Sequence, residues 1–153
     1  AGMRSEAKEL VDNSTEETFR SAQTSIAYDV NGNTLSVLKG EKDSYYVESE
    51  NIPTYAKQAM ISIEDKKFYS HHGVDYKGII RAAWANVRHQ SLSQGASTIT
   101  QQLAKTIFLS TEKTWERKVE EIFIATDLEK KYSKSDILEF YFNNIYWCIF
   151  IFL

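Results

Sequence analysis

Residues 60–78, MISIEDKKFYSHHGVDYKG, place three carboxylates and two imidazoles directly after an apolar run. Glu64 falls where the apolar run meets a polar turn, where a carboxylate can lie at a cleft edge and accept a proton. A solvated acid at a helix end is the simpler interpretation. His71 and His72 are adjacent, so they lack the i, i+4 geometry of a helical metal pair. We expect His71 to tie the turn to a nearby carboxylate, and Gly73 to supply a backbone conformation that other residues resist.

A second polar stretch, QGASTITQQLAK, combines a glycine and small hydroxyl residues with the start of a predicted helix. Thr98, with Gln101 three residues later, is a capping-box signature. The free backbone N–H groups of such a helix start form a natural anion site, with Gln102 and Lys105 on the following turn. Helix capping alone is the alternative explanation for the same residues.

The third stretch, RKVEE, places Arg117 and Lys118 on the same helix face as Glu121, at i, i+4 and i, i+3 spacing. Together with Lys105 and Lys113, it gives four cations within fourteen residues of a chain whose net charge is −3. Such a cluster suits a phosphate-rich ligand, because arginine offers bidentate contacts. A solvated ion-pair cluster is the alternative.

The elements that must position these residues are a short β-hairpin and five helices. Apolar alternation on both sides of Asn31-Gly32 predicts the hairpin, and Pro53 marks the change to a helical period. The first predicted helix ends near Glu64, and the other four start near Asp75, Thr98, Thr114 and Ser133. The second is expected to bury the apolar stripe Ile80, Ala83, Trp84 and Val87.

The composition fits one globular domain of 153 residues. The net charge of −3 gives no overall attraction to nucleic acid. The single cysteine, Cys148, excludes an internal disulfide, and no apolar run reaches the roughly 20 residues of a membrane-spanning helix. The chain ends in nine apolar residues, IYWCIFIFL.

Four blocks in order, EDKKFYSHHGVD, GASTITQQLAK, RKVEE and YSKSDILEFYFNN, resemble the peptidoglycan glycosyltransferase domain of class A penicillin-binding proteins and monofunctional transglycosylases, glycosyltransferase family 51. The likeness covers residues 24–147. It implies a mainly α, lysozyme-like fold behind a small N-terminal β-hairpin lead-in. It also implies an enzyme that polymerises lipid II into β-1,4 glycan strands, with inversion and release of undecaprenyl pyrophosphate.

Residue by residue, the resemblance implies that Glu64 is the catalytic base and that Glu121 is a second catalytic glutamate near the pyrophosphate. No cofactor is required; a divalent cation, Mg or Mn, near Glu121 is an option that the resemblance leaves open. Asp65 and His71 would shape the turn that holds Glu64. The positions implied for donor phosphates and sugars are Arg81, Ser97, Thr98, Gln101, Gln102, Lys105, Lys113, Arg117 and Lys118.

The resemblance also implies a setting: the extracytoplasmic face of the bacterial plasma membrane, reached through an anchor absent from this chain. Implied partners are lipid II, the growing glycan, the membrane surface, cell-wall synthesis proteins and moenomycin-type inhibitors, with no nucleic acid. The expected organisation is a polar lead-in (1–23), a hairpin linker (24–53), an incomplete catalytic domain (54–147) and an atypical apolar tail (148–153).

Two departures from the family pattern bear on these expectations. Glu120 stands where many relatives carry lysine. After NNIY the family continues through a glycine-rich motif, whereas this chain has the apolar tail. We therefore expect a fragment in which the side chains of Phe123, Leu138 and Tyr141 lose part of their cover. We also expect its activity to be reduced or absent. A lysozyme-like muramidase and an inactive lipid II-binding remnant are the rival interpretations.

Overall fold

Seven α-helices dominate the part of the chain that the structure, a computed structural model, describes: residues 2–20, 25–28, 34–38, 46–89, 97–110 and 114–145. The prediction of a mainly helical fold is confirmed. Among these residues, no helix is both long and apolar enough to cross a bilayer. The helices are α1 (Gly2–Asn13), α2 (Glu16–Arg20), α3 (Thr54–Glu64), α4 (Tyr76–His89), α5 (Ile99–Phe108), α6 (Trp115–Lys131) and α7 (Lys134–Ile145).

Two short strands follow α2. β1 (Ser25–Tyr28) pairs antiparallel with β2 (Thr34–Leu38), and the register sets Ser25 opposite Leu38. The predicted turn at Asn31-Gly32 lies outside the described residues. A 3-10 turn, Ser49–Asn51, then leads to Pro53 at the start of α3.

The core lies where α5 packs against both α6 and α7. Apolar side chains at helical spacing, such as Ile99 and Leu103, form the buried stripe of α5, as its sequence predicts. Phe19 of α2 stacks on Phe140 of α7 with ring centroids 4.0 Å apart. The buried side chains that α6 and α7 supply are Ile124, Ala125, Leu128, Ile137, Leu138, Phe140 and Tyr141.

Helix α1 is fastened to α6 by charged side chains. The Arg4 guanidinium forms a two-pronged ion pair with Asp127, one arm of which measures 2.8 Å. Lys131 donates from Nζ to three backbone carbonyls at the end of α1, those of Val11, Asp12 and Ser14. Because the last carbonyls of a helix lack partners within it, Lys131 completes the C-terminal end of α1.

The predicted burial of the α4 stripe is wrong for the residues that the structure describes. Ile80 and Trp84 are each 70% exposed; the side chains of Ala83 and Val87 lie outside the description. The apolar periodicity does form a helix, but Ile80 and Trp84 lie outside the core cluster, which is built mainly from α5, α6 and α7.

The expected loss of cover is also wrong for Leu138 and Tyr141. Leu138 and Tyr141 are each 1% exposed, and Phe123 of α6 is partly buried against the core. Because α5 packs along α7, these side chains are covered within the described part of the chain. Residues 146–153, which include the apolar tail, lie outside that part.

Candidate active site

The start of α5 is fixed by the predicted capping box. Thr98 Oγ1 accepts a hydrogen bond from the Gln101 backbone N–H (3.1 Å), and Gln101 Oε1 accepts one from the Thr98 N–H (3.2 Å). With its oxygen so engaged, the Gln101 amide turns its nitrogen toward Glu121, and Nε2 lies 3.1 Å from Oε1 of that carboxylate. Glu121 is only 2% exposed.

Lys118 balances the charge of this buried carboxylate. Its ammonium contacts Glu121 Oε1 and also donates to Ser97 Oγ at 3.0 Å. A buried charge requires such partners, because desolvation would otherwise be prohibitive. The neighbouring Arg117 is half-buried, and its Nε has no hydrogen-bond partner among the described residues. One face of early α6 therefore combines two cations with a buried acid.

Glu64 is the last residue of α3 and is half-buried. Its Oε2 accepts a hydrogen bond from Gln102 Nε2 (2.9 Å), and Gln102 Oε1 accepts one from the Tyr141 hydroxyl (3.0 Å). Two consecutive glutamines of α5 thus hold two glutamates that stand 57 positions apart in the chain (121 − 64). The fold brings both acids to the first turn of one helix.

The turn after Glu64 is docked onto the same helix start. Asp65 Oδ2 lies 2.8 Å from His71 Nε2 and accepts a hydrogen bond from the Ile99 backbone N–H (3.1 Å). Gly73 has a φ of +90°, and its carbonyl accepts from Thr98 Oγ1 at 2.6 Å. The expectations that His71 ties the turn to a carboxylate and that Gly73 has an unusual backbone are confirmed.

A further charged group lies behind His71. Glu129 of α6 accepts a hydrogen bond from Thr100 Oγ1 and forms an ion pair with Lys134 (2.6 Å), and its Oε1 is 3.8 Å from His71 Nδ1. Lys134 also donates to the His71 carbonyl at 2.8 Å. This buried cluster braces the turn from the side opposite Asp65.

Sequence reasoning missed Glu129, Lys134 and Tyr141. The sequence does contain a signal for Glu129. This charged residue follows Ala125 and Leu128, which lie on the buried side of α6, and a charge at such a position needs a partner. Tyr141 is buried in the core, and a buried tyrosine hydroxyl generally needs a polar partner.

The remaining predicted residues lie apart from the two glutamates or outside the description. Arg81 and Lys105 are exposed, and in the described part no hydrogen bond joins either to Glu64 or Glu121. Lys113 is outside the described residues. Asp75 caps α4 by accepting from the Gly78 N–H at 2.9 Å. Burial alone would raise the pKa of Asp75, but this bond and the charges of Lys67 and Arg81 lower it below its usual value.

The surroundings of Glu121 do not by themselves fit a metal ion. Within the described ranges, no three His, Cys, Asp or Glu side chains form a group that could hold one. Glu121 faces a lysine ammonium and an amide N–H, which are donors and not metal ligands.

Glu120 faces a different part of the molecule from Glu121. It lines a cavity of about 520 Å³ together with Glu6, Glu9 and Leu10 of α1.

Comparison with known proteins gives a consistent result. A family model described as transglycosylase matches residues 31–149. The chain is 45% identical over 115 residues to a monofunctional glycosyltransferase of Staphylococcus aureus, covering 75% of this chain and 42% of that protein. It is 48% identical over 107 residues to a monofunctional glycosyltransferase of Staphylococcus epidermidis, covering 70% and 39%. The chain thus spans about two fifths of the length of these curated relatives.

Proposed function

Because the chain belongs to the transglycosylase family, we propose that it is a peptidoglycan glycosyltransferase that polymerises lipid II into β-1,4 glycan strands. The observation that carries the proposal is the glutamine pair of α5. Gln102 binds Glu64 and Gln101 binds Glu121, so that one turn of α5 holds both a half-buried acid and a buried acid with its lysine. This pairing would supply a proton acceptor and a cationic patch from the same helix turn.

In the proposed reaction, Glu64 is the general base. Its carboxylate takes the proton of the 4-hydroxyl of an incoming lipid II as that oxygen attacks the anomeric carbon of the growing strand. The bond from that carbon to the pyrophosphate breaks, and undecaprenyl pyrophosphate leaves with the electron pair. Attack from the face opposite the leaving group inverts the configuration. Gln102 holds the carboxylate in place through one hydrogen bond, which leaves its other oxygen available to the substrate.

The proposed leaving-group site is the start of α6. Lys118 and Arg117 would bind the pyrophosphate, and a guanidinium suits its oxygens because it donates in a fixed fork. Glu121 holds Lys118 in position and is itself fixed by Gln101. Ser97, Thr98, Lys105, Lys113 and Arg81 complete the proposed binding surface for the donor's phosphates and sugars.

The proposal carries no step through a metal. Mg²⁺ is commonly held by one or two carboxylates together with substrate phosphates, so a cation at Glu121 would have to arrive with the pyrophosphate and displace Lys118. Polymerisation measured with and without EDTA tests this point.

The proposed setting follows from the lipid substrate. The enzyme would act at the extracytoplasmic surface of the bacterial membrane, where lipid II and the growing strand are held, and alongside other cell-wall synthesis proteins. A moenomycin-type phosphoglycolipid would occupy the same pyrophosphate site. The lysozyme-like arrangement of the helices that the resemblance implies belongs to the same proposal.

Glu64→Gln tests the base, because it preserves size and hydrogen bonding but removes basicity. With lipid II as substrate in detergent, we expect turnover to fall by about 10²–10⁴-fold, the usual contribution of a general base, with lipid II binding retained. Glu50→Gln, at an exposed acid in the 3-10 turn, is the matched control and should leave turnover unchanged.

Three outcomes would contradict the proposal. Turnover of the Glu64→Gln variant within a few-fold of the unaltered chain would remove Glu64 from the mechanism. Release of muropeptides from peptidoglycan, without polymer from lipid II, would indicate a muramidase. Lipid II binding without polymer would indicate an inactive remnant.

A further inference from the structure

We infer that the Tyr141 hydroxyl is a positioning group for the base, acting through Gln102; the inference rests on the proposed function of Glu64. The Tyr141 hydroxyl donates to Gln102 Oε1 (3.0 Å), and Gln102 Nε2 donates to Glu64 Oε2 (2.9 Å). The three side chains come from α7, α5 and α3 and form one continuous hydrogen-bonded chain. Its inner end is buried, since Tyr141 is 1% exposed.

The hydroxyl holds the inner end of the Gln102 amide, while the carboxylate holds the outer end. The two ends have nearly the same shape but opposite hydrogen-bonding character, so partners alone set the orientation. The Glu64 carboxylate only accepts, so it requires the amide nitrogen on its side, and the Tyr141 hydroxyl then donates to the amide oxygen on the inner side. In the opposite orientation the amide oxygen would face a carboxylate oxygen, and the two acceptors would repel each other.

The neighbouring glutamine is held by a donor that lies close along the chain. The Gln101 amide is oriented locally, because its oxygen accepts the Thr98 backbone N–H in the capping box. Gln102 comes one residue later, and its side chain lies outside that box. The donor that holds its oxygen comes from α7. Each glutamate is thus bound by an amide whose oxygen is held on the other side, by a backbone N–H for Glu121 and by a phenol O–H for Glu64.

The ring of Tyr141 has a separate packing role. It lies in the core cluster with Leu138 and Phe140, and a phenylalanine would fill the same space. Tyr141→Phe therefore removes the donor with little change in packing. The matched control is Tyr132→Phe, which deletes a hydroxyl placed 3.0 Å from Ser14 Oγ on a ring packed against the same core, away from Glu64.

The first measurement is the NMR signal of the Gln102 side-chain amide in the full chain with labelled nitrogen. We expect this signal to shift and broaden in Tyr141→Phe, and to stay unchanged in Tyr132→Phe. An unchanged signal in Tyr141→Phe would overturn the inference, whether or not the chain polymerises lipid II. This measurement separates the inference from the proposed function.

The second measurement is steady-state polymerisation of lipid II. We expect Tyr141→Phe to lower kcat by about three- to tenfold, the scale of one neutral hydrogen bond, while KM changes less than about twofold. Added to Gln102→Ala, the same substitution should cause no further loss, because a group acting through Gln102 has nothing left to orient. Additive losses, or equal losses in Tyr132→Phe, would overturn the inference. An inactive unaltered chain would overturn the proposed function, and with it the catalytic consequence of the Tyr141 contact.

Discussion

Replacing Gly73 with alanine tests how the turn behind Glu64 is held against α6. Gly73 has a φ of +90°, a region that residues with a side chain rarely adopt. An added Cβ would lie 2.5 Å from the Ala125 carbonyl oxygen and 2.9 Å from the Thr126 nitrogen. Both atoms belong to the backbone of α6, so they cannot turn aside as a flexible side chain would.

Two terms set the size of the effect. The left-handed conformation costs an L-residue about 1–2 kcal/mol, and overpacking against a rigid neighbour adds about 1–3 kcal/mol. The free energy of unfolding should therefore fall by about 2–5 kcal/mol. Against a typical total of about 5–15 kcal/mol, that is a large part of the stability of the domain.

Urea unfolding followed by circular dichroism measures this change. With a slope of about 2 kcal/mol per molar, the midpoint should fall by roughly 1–2.5 M. Gly2→Ala is the matched control, since its added Cβ has only Glu6 Oε1 nearby, at 3.8 Å, and lies in a helix. That variant should be as stable as the unaltered chain or slightly more stable. A midpoint for Gly73→Ala equal to that of the unaltered chain would refute the argument.

Two further substitutions test the ion pair on α1 and the proposed anion site. Asp127→Asn should lower stability by about 1–2 kcal/mol at pH 7, because Asp127 is nearly buried and loses its hydrogen-bonded charge pair with Arg4. The Arg4 hydrogen bond, opposed by burial, lowers the pKa of Asp127 in the folded state. The stability that the Asp127 carboxylate contributes is therefore present above about pH 4 and is lost as the pH falls through that lowered pKa. The urea midpoints of the unaltered chain and of Asp127→Asn should accordingly converge between pH 7 and pH 3. A difference that stays constant over this range would contradict the argument. Arg117→Ala should weaken binding of moenomycin in calorimetry by about 1.5–3 kcal/mol, whereas Lys8→Ala on α1 should not; equal affinities for both variants would make Arg117 a solvated residue.

The features that could be predicted from the sequence are those whose partners lie close along the chain. The capping box joins Thr98 to a residue three positions later, and the tie from His71 reaches back six positions to Asp65. In both cases local geometry brings the partners together before any tertiary contact is considered. The same holds for the helical periodicity that predicted α5 and α7.

The features that could not be predicted depend on which elements meet. The apolar pattern of Ile80 and Trp84 predicts a helix with one apolar side, but nothing in that pattern says whether another element covers it. The bond from Tyr141 to Gln102 spans 39 positions and joins two helices that each look complete when considered alone. Glu129 likewise accepts a hydrogen bond from Thr100 of α5, which lies 29 positions earlier in the chain.

The contact of Lys131 with the end of α1 also orders events during synthesis. The three carbonyls it satisfies belong to residues made 117 to 120 positions earlier (131 − 14 and 131 − 11). A chain growing from its N-terminus therefore lacks these three bonds at the end of α1 until the whole of α6, which Lys131 ends, has left the ribosome. Long-range contacts of this kind form late, since a long loop must close first. On the ribosome, protection of α1 from proteases should accordingly begin only when residue 131 has emerged.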